Sequence, residues 1–214
     1  MKYKAVVFDF DGTIVDSEEG IARGFQFALR SQGIEEDLEV IKDLIGPPLS
    51  RTIITKYGLS EEDGAKAMKL HREYYNEIGL YQSKIFPLVI ELLEGLKDLG
   101  VQMMIATNKA EQFAVDQIKY FGLEGYFDAV VGNNHEQTKG SKADFINIAI
   151  TNLGLDKSEM MMVGDRYNDI EAGKLVGLHT VGVLYGYGSE QEIKEVNPTY
   201  IIKDPLELID IVKG

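Results

Sequence analysis

The segment at residues 6–13, VVFDFDGT, carries the most information about the fold of this chain. Its apolar start, rich in β-branched valine, predicts a buried strand of a parallel sheet. The strand ends in two carboxylates, Asp9 and Asp11, and a glycine follows them. Because side chains alternate along a strand, the two carboxylates leave the same face at the sheet edge. Such a pair of anions repels unless a cation lies between them or one is protonated. A bare D-x-D pair is also compatible with a solvated turn.

The composition excludes several classes of function. The chain has 214 residues, 44% of them hydrophobic, and a formal net charge of −13. That charge argues against nucleic acid or an anionic membrane as partner, since phosphate backbones bind basic surfaces. There are no cysteines, which excludes disulfides, thiolate nucleophiles and Cys-ligated zinc. No apolar run approaches the ~18 residues of a membrane helix, and no secretory signal is apparent, so we expect a cytoplasmic protein.

The hydrophobic pattern divides the chain into two kinds of structure. From Asp16 to about Tyr81 it is helical throughout, with a short helix expected at residues 38–45, a Gly-Pro-Pro turn at 46–48 that ends it, and Ser60 as an expected helix N-cap. From about residue 86 onward helices and strands alternate, with strands expected at 101–106, 129–131, 160–163, 180–183 and 200–202. This alternation predicts an α/β fold, a doubly wound parallel sheet with one all-helical insertion. We therefore expect a core at residues 1–15 and 85–214 and an inserted domain at residues 16–84.

Polar side chains follow three of the expected strands directly. They are Asp9 with Asp11, Thr107 with Asn108, and Asp165. In an open α/β sheet, ligands bind in the crevice outside the carboxyl ends of the strands. The sequence therefore predicts a single site built from these residues, although Thr107 alone would also serve as the N-cap of a helix beginning near Lys109.

Four motifs in this order resemble those of the haloacid dehalogenase-like hydrolases, and the resemblance covers the whole chain. The first motif is typically DxDGT, and the fourth is GDxxxD. The matching residues are DFDGT at 9–13, Thr107 with Asn108, a lysine within residues 138–144, and GDRYND at 164–169. The resemblance implies a Rossmann-like core with an inserted helical cap domain over the site.

The resemblance also assigns roles in catalysis. Asp9 is implied to be a nucleophile that forms an aspartyl-phosphate, and Asp11 the general acid and base. True dehalogenases of the family lack a carboxylate at the position of Asp11, so its presence favours phosphoryl transfer. Thr107 and Asn108 are implied to bind the phosphate, which a helix N-terminus also favours.

The third motif is a lysine whose ammonium bridges the nucleophile and the phosphoryl oxygens. Two lysines are available, and the Lys-Pro pair of many relatives is absent. We prefer Lys142, because it directly precedes the helical pattern at residues 145–150. Lys139 is the alternative. A lysine in a Gly/Ser loop is otherwise simply solvated.

The fourth motif implies a magnesium site. Mg²⁺ binds few protein carboxylates and keeps several waters. The implied ligands are Asp9, the main-chain carbonyl of Asp11, and Asp165, while Asp169 holds a metal-bound water or orients Lys142. Without the other motifs, two aspartates at a helix N-terminus would be a solvated first turn.

The segment at residues 44–49, LIGPPL, resembles phosphoglycolate phosphatase-like members, some of which are 5′-nucleotidases. We therefore expect a Mg²⁺-dependent phosphomonoesterase of small phosphorylated metabolites. A phosphotransferase or sugar-phosphate mutase, or a non-catalytic phosphate-binding regulator, is the alternative. Among cap residues Arg51 is a candidate for substrate binding, although a charged helix residue usually faces water. The sequence leaves open whether the protein is a monomer or a homodimer.

Overall fold

The computed structural model describes residues 1–45, 49–134, 138–151 and 153–214. The chain forms two compact units, Met1–Asp16 with Ile85–Gly214, and Ser17–Lys84. The Gly-Pro-Pro turn expected at residues 46–48 lies outside the described residues. Within the described ranges, no helix is both long and apolar enough to cross a membrane.

The larger unit is built on a six-stranded sheet. The strands of the chain are β1 (Ala5–Phe8), β2 (Val15–Asp16), β3 (Lys84–Ile85), β4 (Gln102–Ala110), β5 (Ala129–Asn133), β6 (Met160–Gly164), β7 (His179–Val183) and β8 (Tyr200–Ile202). The sheet order is β5-β4-β1-β6-β7-β8, and its neighbouring strands pair in parallel. β2 and β3 form a separate two-stranded sheet.

Helices connect these strands and fill the smaller unit. Those of the smaller unit are α1 (Glu18–Arg30), α2 (Leu38–Lys42), α3 (Leu49–Thr55) and α4 (Glu61–Glu77). Those of the larger unit are α5 (Val89–Asp98), α6 (Glu111–Tyr120), α7 (Lys142–Ala149), α8 (Tyr167–Val176), α9 (Glu190–Glu195) and α10 (Glu207–Lys213).

The central strand β1 contributes to two apolar layers. Val6 and Phe8 pack in a core with side chains of α5, α6 and α10, whereas Ala5 and Val7 pack in another with α7 and α8. This alternation follows from the period of two in a strand that is buried on both faces. The predicted doubly wound parallel α/β fold is confirmed.

The smaller unit has a hydrophobic core of its own, centred on Phe25, Leu29 and Ile53. Its longest helix, α4, begins after Ser60 as expected, and the Ser60 hydroxyl accepts a hydrogen bond from the Asp63 amide at 3.1 Å. The predicted N-cap is therefore confirmed, and the backbone N–H groups of the first turn gain an acceptor.

The predicted end of strand β4 is wrong. We expected the strand to end at Ala106 and a helix to begin near Lys109, whereas β4 continues to Ala110 and α6 begins at Glu111. A register shift between Ala106 and Ala110 accommodates the extra residues beside β5. Thr107 is therefore not the N-cap of α6, and its hydroxyl accepts from the Lys109 amide at 3.2 Å.

Two further differences concern helices. The pattern predicted a helix over residues 38–45, but α2 ends at Lys42 and turns follow. Helix α9 was not predicted, because its six residues are too few to show a helical repeat. Its start is set by Ser189, whose hydroxyl accepts from the Glu192 amide at 3.1 Å.

Candidate active site

The site lies at the carboxyl end of β1, between β4 and β6. Asp9 is the first residue after β1, and its amide donates to the Val163 carbonyl at 2.9 Å. This bond extends the β1–β6 ladder by one residue and fixes the backbone of Asp9. In the sheet, β1 lies between β4 and β6. Open α/β sheets bind ligands at such a position, outside the carboxyl ends of the strands.

Lys142 joins two of the predicted carboxylates. Its Nζ lies 2.7 Å from Asp9 Oδ1 and 2.9 Å from Asp169 Oδ1, and it donates to the Ala106 carbonyl at 3.2 Å. The lysine is the first residue of α7, whose start is fixed by a capping box between Ser141 and Asp144. Burial lowers the pKa of Lys142, but Asp169 and Asp9 outweigh it and hold the pKa above its ordinary value.

Asp165 follows β6 and is fully buried. Its Oδ2 accepts from the Tyr187 amide at 2.9 Å, and its Oδ1 accepts from the Thr13 hydroxyl at 3.3 Å. Gly12 has φ +85°, and a Cβ there would lie 2.3 Å from Asp165 Oδ2. The glycine of the DFDGT segment is therefore required both by its backbone conformation and by the close approach of Asp165.

Asp9, Asp165 and Asp169 form an acidic cluster that fits a hard divalent cation. One oxygen of each carboxylate lies within 4.8 Å of the others. Burial, and then repulsion from Asp169, raise the pKa of Asp9 to about 6. The same causes, with Asp9 contributing as well, raise the pKa of Asp165 to about 8. The single positive charge of Lys142 does not balance the negative charges of these three buried carboxylates. A divalent cation that prefers oxygen ligands would supply the missing positive charge.

Asp11 has a separate cationic partner. The Lys109 ammonium lies 2.8 Å from Asp11 Oδ1, and the lysine side chain is only 5% exposed. Burial lowers the pKa of Lys109, while Asp11 acts to raise it. The ammonium also lies 5.4 Å from the centre of the Phe10 ring. The carboxylate expected to move protons is therefore held by an ion pair to a buried lysine.

The other predicted residues fall in different places. Thr107 is buried on β4, whereas Asn108, the next residue, is exposed. Lys139 lies apart from the acidic cluster and pairs with Glu111 at 2.7 Å, with 40% of its side chain exposed. Arg51 is an exposed residue of α3 in the smaller unit. The structure thus brings together Asp9, Asp165, Asp169 and Lys142, and leaves Lys139 and Asn108 outside this group.

The family model for haloacid dehalogenase-like hydrolases matches residues 6–183. The chain belongs to the haloacid dehalogenase-like hydrolase family. A 5′-nucleotidase from Pseudomonas aeruginosa is 34% identical over 100% of this chain and 97% of its own length. A phosphoglycolate phosphatase from Vibrio vulnificus is 31% identical over 98% and 96%. Tyrosine-protein kinase PtkA from Mycobacterium tuberculosis is 33% identical over 92% of this chain and 67% of its own.

A solved structure supports the same assignment. The crystal structure of a candidate phosphatase from Clostridium difficile superposes with a TM-score of 0.95 and 38% identity, covering 99% of each chain. The predicted family and its phosphoglycolate phosphatase-like and 5′-nucleotidase-like relatives are thereby confirmed. The chain is an enzyme of the phosphatase type within this hydrolase family.

Three residues of this hydrolase site were missed from the sequence. Lys109 follows the Thr-Asn pair and was treated only as part of a helix start. Tyr187 was not considered, although its amide binds Asp165 and its hydroxyl lies 3.3 Å from Asp16 Oδ1. A Cβ on Gly186 would lie 2.2 Å from the Gly12 carbonyl oxygen. The signal available was the glycine-spaced YGYG run at residues 185–188, which begins one residue after an expected strand.

Proposed function

We propose that this hydrolase is a Mg²⁺-dependent phosphomonoesterase that acts on small phosphorylated metabolites through an aspartyl-phosphate on Asp9. The observation that carries the proposal is the contact of Lys142 with Asp9 and Asp169 beside Asp165. A carboxylate attacks a phosphoryl group only when the charges of both anions are neutralised. This cluster supplies a buried ammonium and a set of carboxylates suited to a metal.

In the first step an oxygen of Asp9 attacks phosphorus. Oδ1 is held by Lys142 and by the Phe10 amide at 2.7 Å, so Oδ2 is the oxygen that we assign to the attack. The bond from phosphorus to the leaving oxygen breaks, and its electron pair stays on that oxygen. Asp11 supplies the proton that makes the leaving group a neutral alcohol.

In the second step water attacks the phosphorus of the aspartyl-phosphate. Asp11, now ionised, accepts a proton from that water. The bond between phosphorus and the Asp9 oxygen breaks, which releases inorganic phosphate and restores both carboxyl groups to their starting states. One residue thus serves as acid and then as base.

The metal would be held by Asp9, Asp165, Asp169 and the main-chain carbonyl of Asp11. When bound, Mg²⁺ would supply positive charge to the phosphoryl oxygens. Lys142 adds a second positive charge at Asp9 and keeps the nucleophile ionised.

We assign Thr107, which is buried at the carboxyl end of a neighbouring strand, to binding the phosphoryl group through its hydroxyl. The exposed Asn108 remains a proposal for the same role.

We assign substrate selection to the smaller unit, acting as a cap domain, with Arg51 as a candidate contact. The names of the relatives favour phosphoglycolate-type substrates and nucleoside monophosphates. A phosphotransferase would use the same carboxylates and pass the phosphoryl group to an acceptor other than water. The similarity to tyrosine-protein kinase PtkA is consistent with this alternative. A non-catalytic regulator is disfavoured, because both Asp9 and Asp11 are present.

A phosphate-release screen tests the proposal. Phosphoglycolate, nucleoside monophosphates, sugar phosphates and p-nitrophenyl phosphate are each incubated with the enzyme in Mg²⁺ or in chelator. We expect Mg²⁺-dependent release from at least one small monoester, abolished in Asp9→Asn. Release at the full rate in chelator, or from Asp9→Asn, would contradict the metal and the nucleophile respectively. Adding alcohols or tyrosine as acceptors distinguishes hydrolysis from transfer.

A further inference from the structure

Lys109 is a buried cation that the four motifs do not use. Its side chain is 5% exposed, while that of its partner Asp11 is 23% exposed. Withdrawing an ammonium from water is unfavourable, and such a group is retained only where ion pairs and hydrogen bonds compensate. The structure provides that compensation at Asp11 Oδ1, 2.8 Å away.

The backbone of Lys109 is tied to the site as well. Its amide donates to the Thr107 hydroxyl at 3.2 Å. The continuation of β4 to Ala110 gives this segment a strand geometry, in which Thr107 is buried, Asn108 is exposed and the Lys109 ammonium is buried. A helix beginning near residue 109 would not produce this alternation. The same extension therefore links the position of Lys109 to that of Thr107.

We propose that Lys109 is a positioning residue that holds the Asp11 carboxyl group for proton transfer to the leaving group. The inference rests on the proposed function, in which Asp11 is the general acid and base. The ion pair at Oδ1 restricts the rotation of this partly exposed carboxyl group. Its other oxygen is then presented to the leaving oxygen in the first step and to water in the second.

This role predicts a kinetic effect that a general loss of structure would not produce. Protonation of the leaving oxygen matters greatly for an alcohol, which is a poor leaving group, and little for p-nitrophenolate. The value of kcat/KM reports only the steps up to departure of the leaving group. Loss of Lys109 should therefore steepen the dependence of kcat/KM on the pKa of the leaving group.

The experiment compares wild type with Lys109→Met on a series of substituted phenyl and alkyl phosphates whose leaving groups carry no charge. Because the leaving groups carry no charge and the phosphoryl group is the same throughout, attraction of the lysine to a charged substituent cannot produce a difference along the series. We expect kcat/KM for the alkyl phosphates to fall by about 10²-fold, within the usual range for general acid–base catalysis. For p-nitrophenyl phosphate the fall should be only a few-fold. Lys139→Met, which removes an exposed ammonium paired with Glu111, should leave the whole series unchanged.

Two further variants keep the test decisive. Lys109→Gln is measured in parallel, so that whichever neutral variant folds gives the answer. Because the chain has no cysteine, Lys109→Cys can also be alkylated at that single site with 2-bromoethylamine, which restores an ammonium. The alkylated protein should recover the shallow leaving-group dependence of wild type.

An equal loss of kcat/KM across the whole series would overturn the proposal, as would an unchanged slope or a steep slope that persists after alkylation. A wild-type enzyme without phosphatase activity would instead contradict the proposed function. The two failures are therefore distinguishable.

Discussion

The Lys142 ammonium lies 2.7 Å from Asp9 Oδ1, and this contact joins the first residue of α7 to the carboxyl end of β1. The same ammonium reaches Asp169 on α8, so one cation connects three segments that are distant in sequence. Burying any one of these charges without a partner would carry a large desolvation free energy. Their mutual neutralisation would keep Asp9, the proposed nucleophile, ionised in a buried position.

Replacing Lys142 should therefore be far more damaging than replacing Lys139. We expect Lys142→Ala to lower kcat/KM by about 10²–10³-fold, the usual effect of removing one electrostatic donor from a developing negative charge. Lys139→Ala should stay near wild type, because an exposed ion pair contributes little. Steady-state kinetics of both variants, with folding checked by circular dichroism, measure this. The reverse ranking would assign the third motif to Lys139.

Magnesium binding should weaken as the pH falls. The pKa of Asp9 is raised to about 6 and that of Asp165 to about 8, so protons compete with the cation between pH 8 and 6. For each proton that the metal displaces, the affinity for Mg²⁺ falls by about tenfold per pH unit as the pH is lowered. Calorimetric titrations in two buffers of different ionisation enthalpy should show proton release on binding. An affinity independent of pH, with no proton released, would contradict the acidic site.

The same repulsion predicts a gain of stability on neutralisation. An acid whose pKa is raised on folding binds more protons when folded than when unfolded. The pKa of Asp165 is raised from 3.8 to about 8, so the metal-free protein loses stability as the pH rises between these two values. Asp165→Asn removes one charge and should stabilise the metal-free protein at pH 8 by on the order of 1 kcal/mol. The variant should also lose the stabilisation that Mg²⁺ gives to wild type. Thermal unfolding with and without Mg²⁺ checks both, and an unchanged response to Mg²⁺ would rule out Asp165 as a ligand.

The close packing at Gly186 makes it intolerant of a methyl group. A Cβ there would lie 2.2 Å from the Gly12 carbonyl oxygen and 2.4 Å from Asp165 Cβ. We expect Gly186→Ala to lower the free energy of unfolding by about 1–3 kcal/mol, the usual cost of overpacking. Because Gly12 and Asp165 belong to the site, activity should fall as well. Gly125→Ala is the matched control, since its Cβ would meet only the Lys97 ammonium at 3.7 Å. Equal behaviour of the two variants would refute the packing argument.

A histidine of the smaller unit whose ring nitrogens are buried predicts acid sensitivity. Burial lowers the pKa of His71 from 6.5 to about 4, so the folded protein excludes a proton that the unfolded chain binds. Stability should therefore fall as the pH is lowered from about 6.5 toward 4, by on the order of 3 kcal/mol. His71→Leu should remove this contribution, and the difference between the two proteins should be flat above pH 7. Urea unfolding across the range measures it, and parallel curves down to pH 4.5 would disprove the assignment.

The sequence predicted the fold class and family because the decisive features are local. A buried strand shows as an apolar run, and the DFDGT segment follows it without interruption. The end of β4 was not predictable in this way. Residues 107–109 are polar and resemble a loop, but their extended conformation goes with a contact from Lys109 to Asp11, in the segment that follows β1. The requirement for Gly186 likewise depends on Gly12 and Asp165, which are brought close only by the fold.

Trapping the covalent intermediate at Asp9 is the most direct test of the proposed mechanism. The enzyme is mixed with a ³²P-labelled monoester that it turns over, quenched in acid within one turnover, digested with pepsin and examined by mass spectrometry. We predict one phosphoryl group on the peptide containing residues 6–13, on Asp9, with accumulation in Asp11→Asn, where the base for its hydrolysis is lost. Asp9→Asn should carry no label. A labelled Asp9→Asn, or an Asp11→Asn that releases the alcohol from the monoester without acquiring label, would contradict the covalent mechanism.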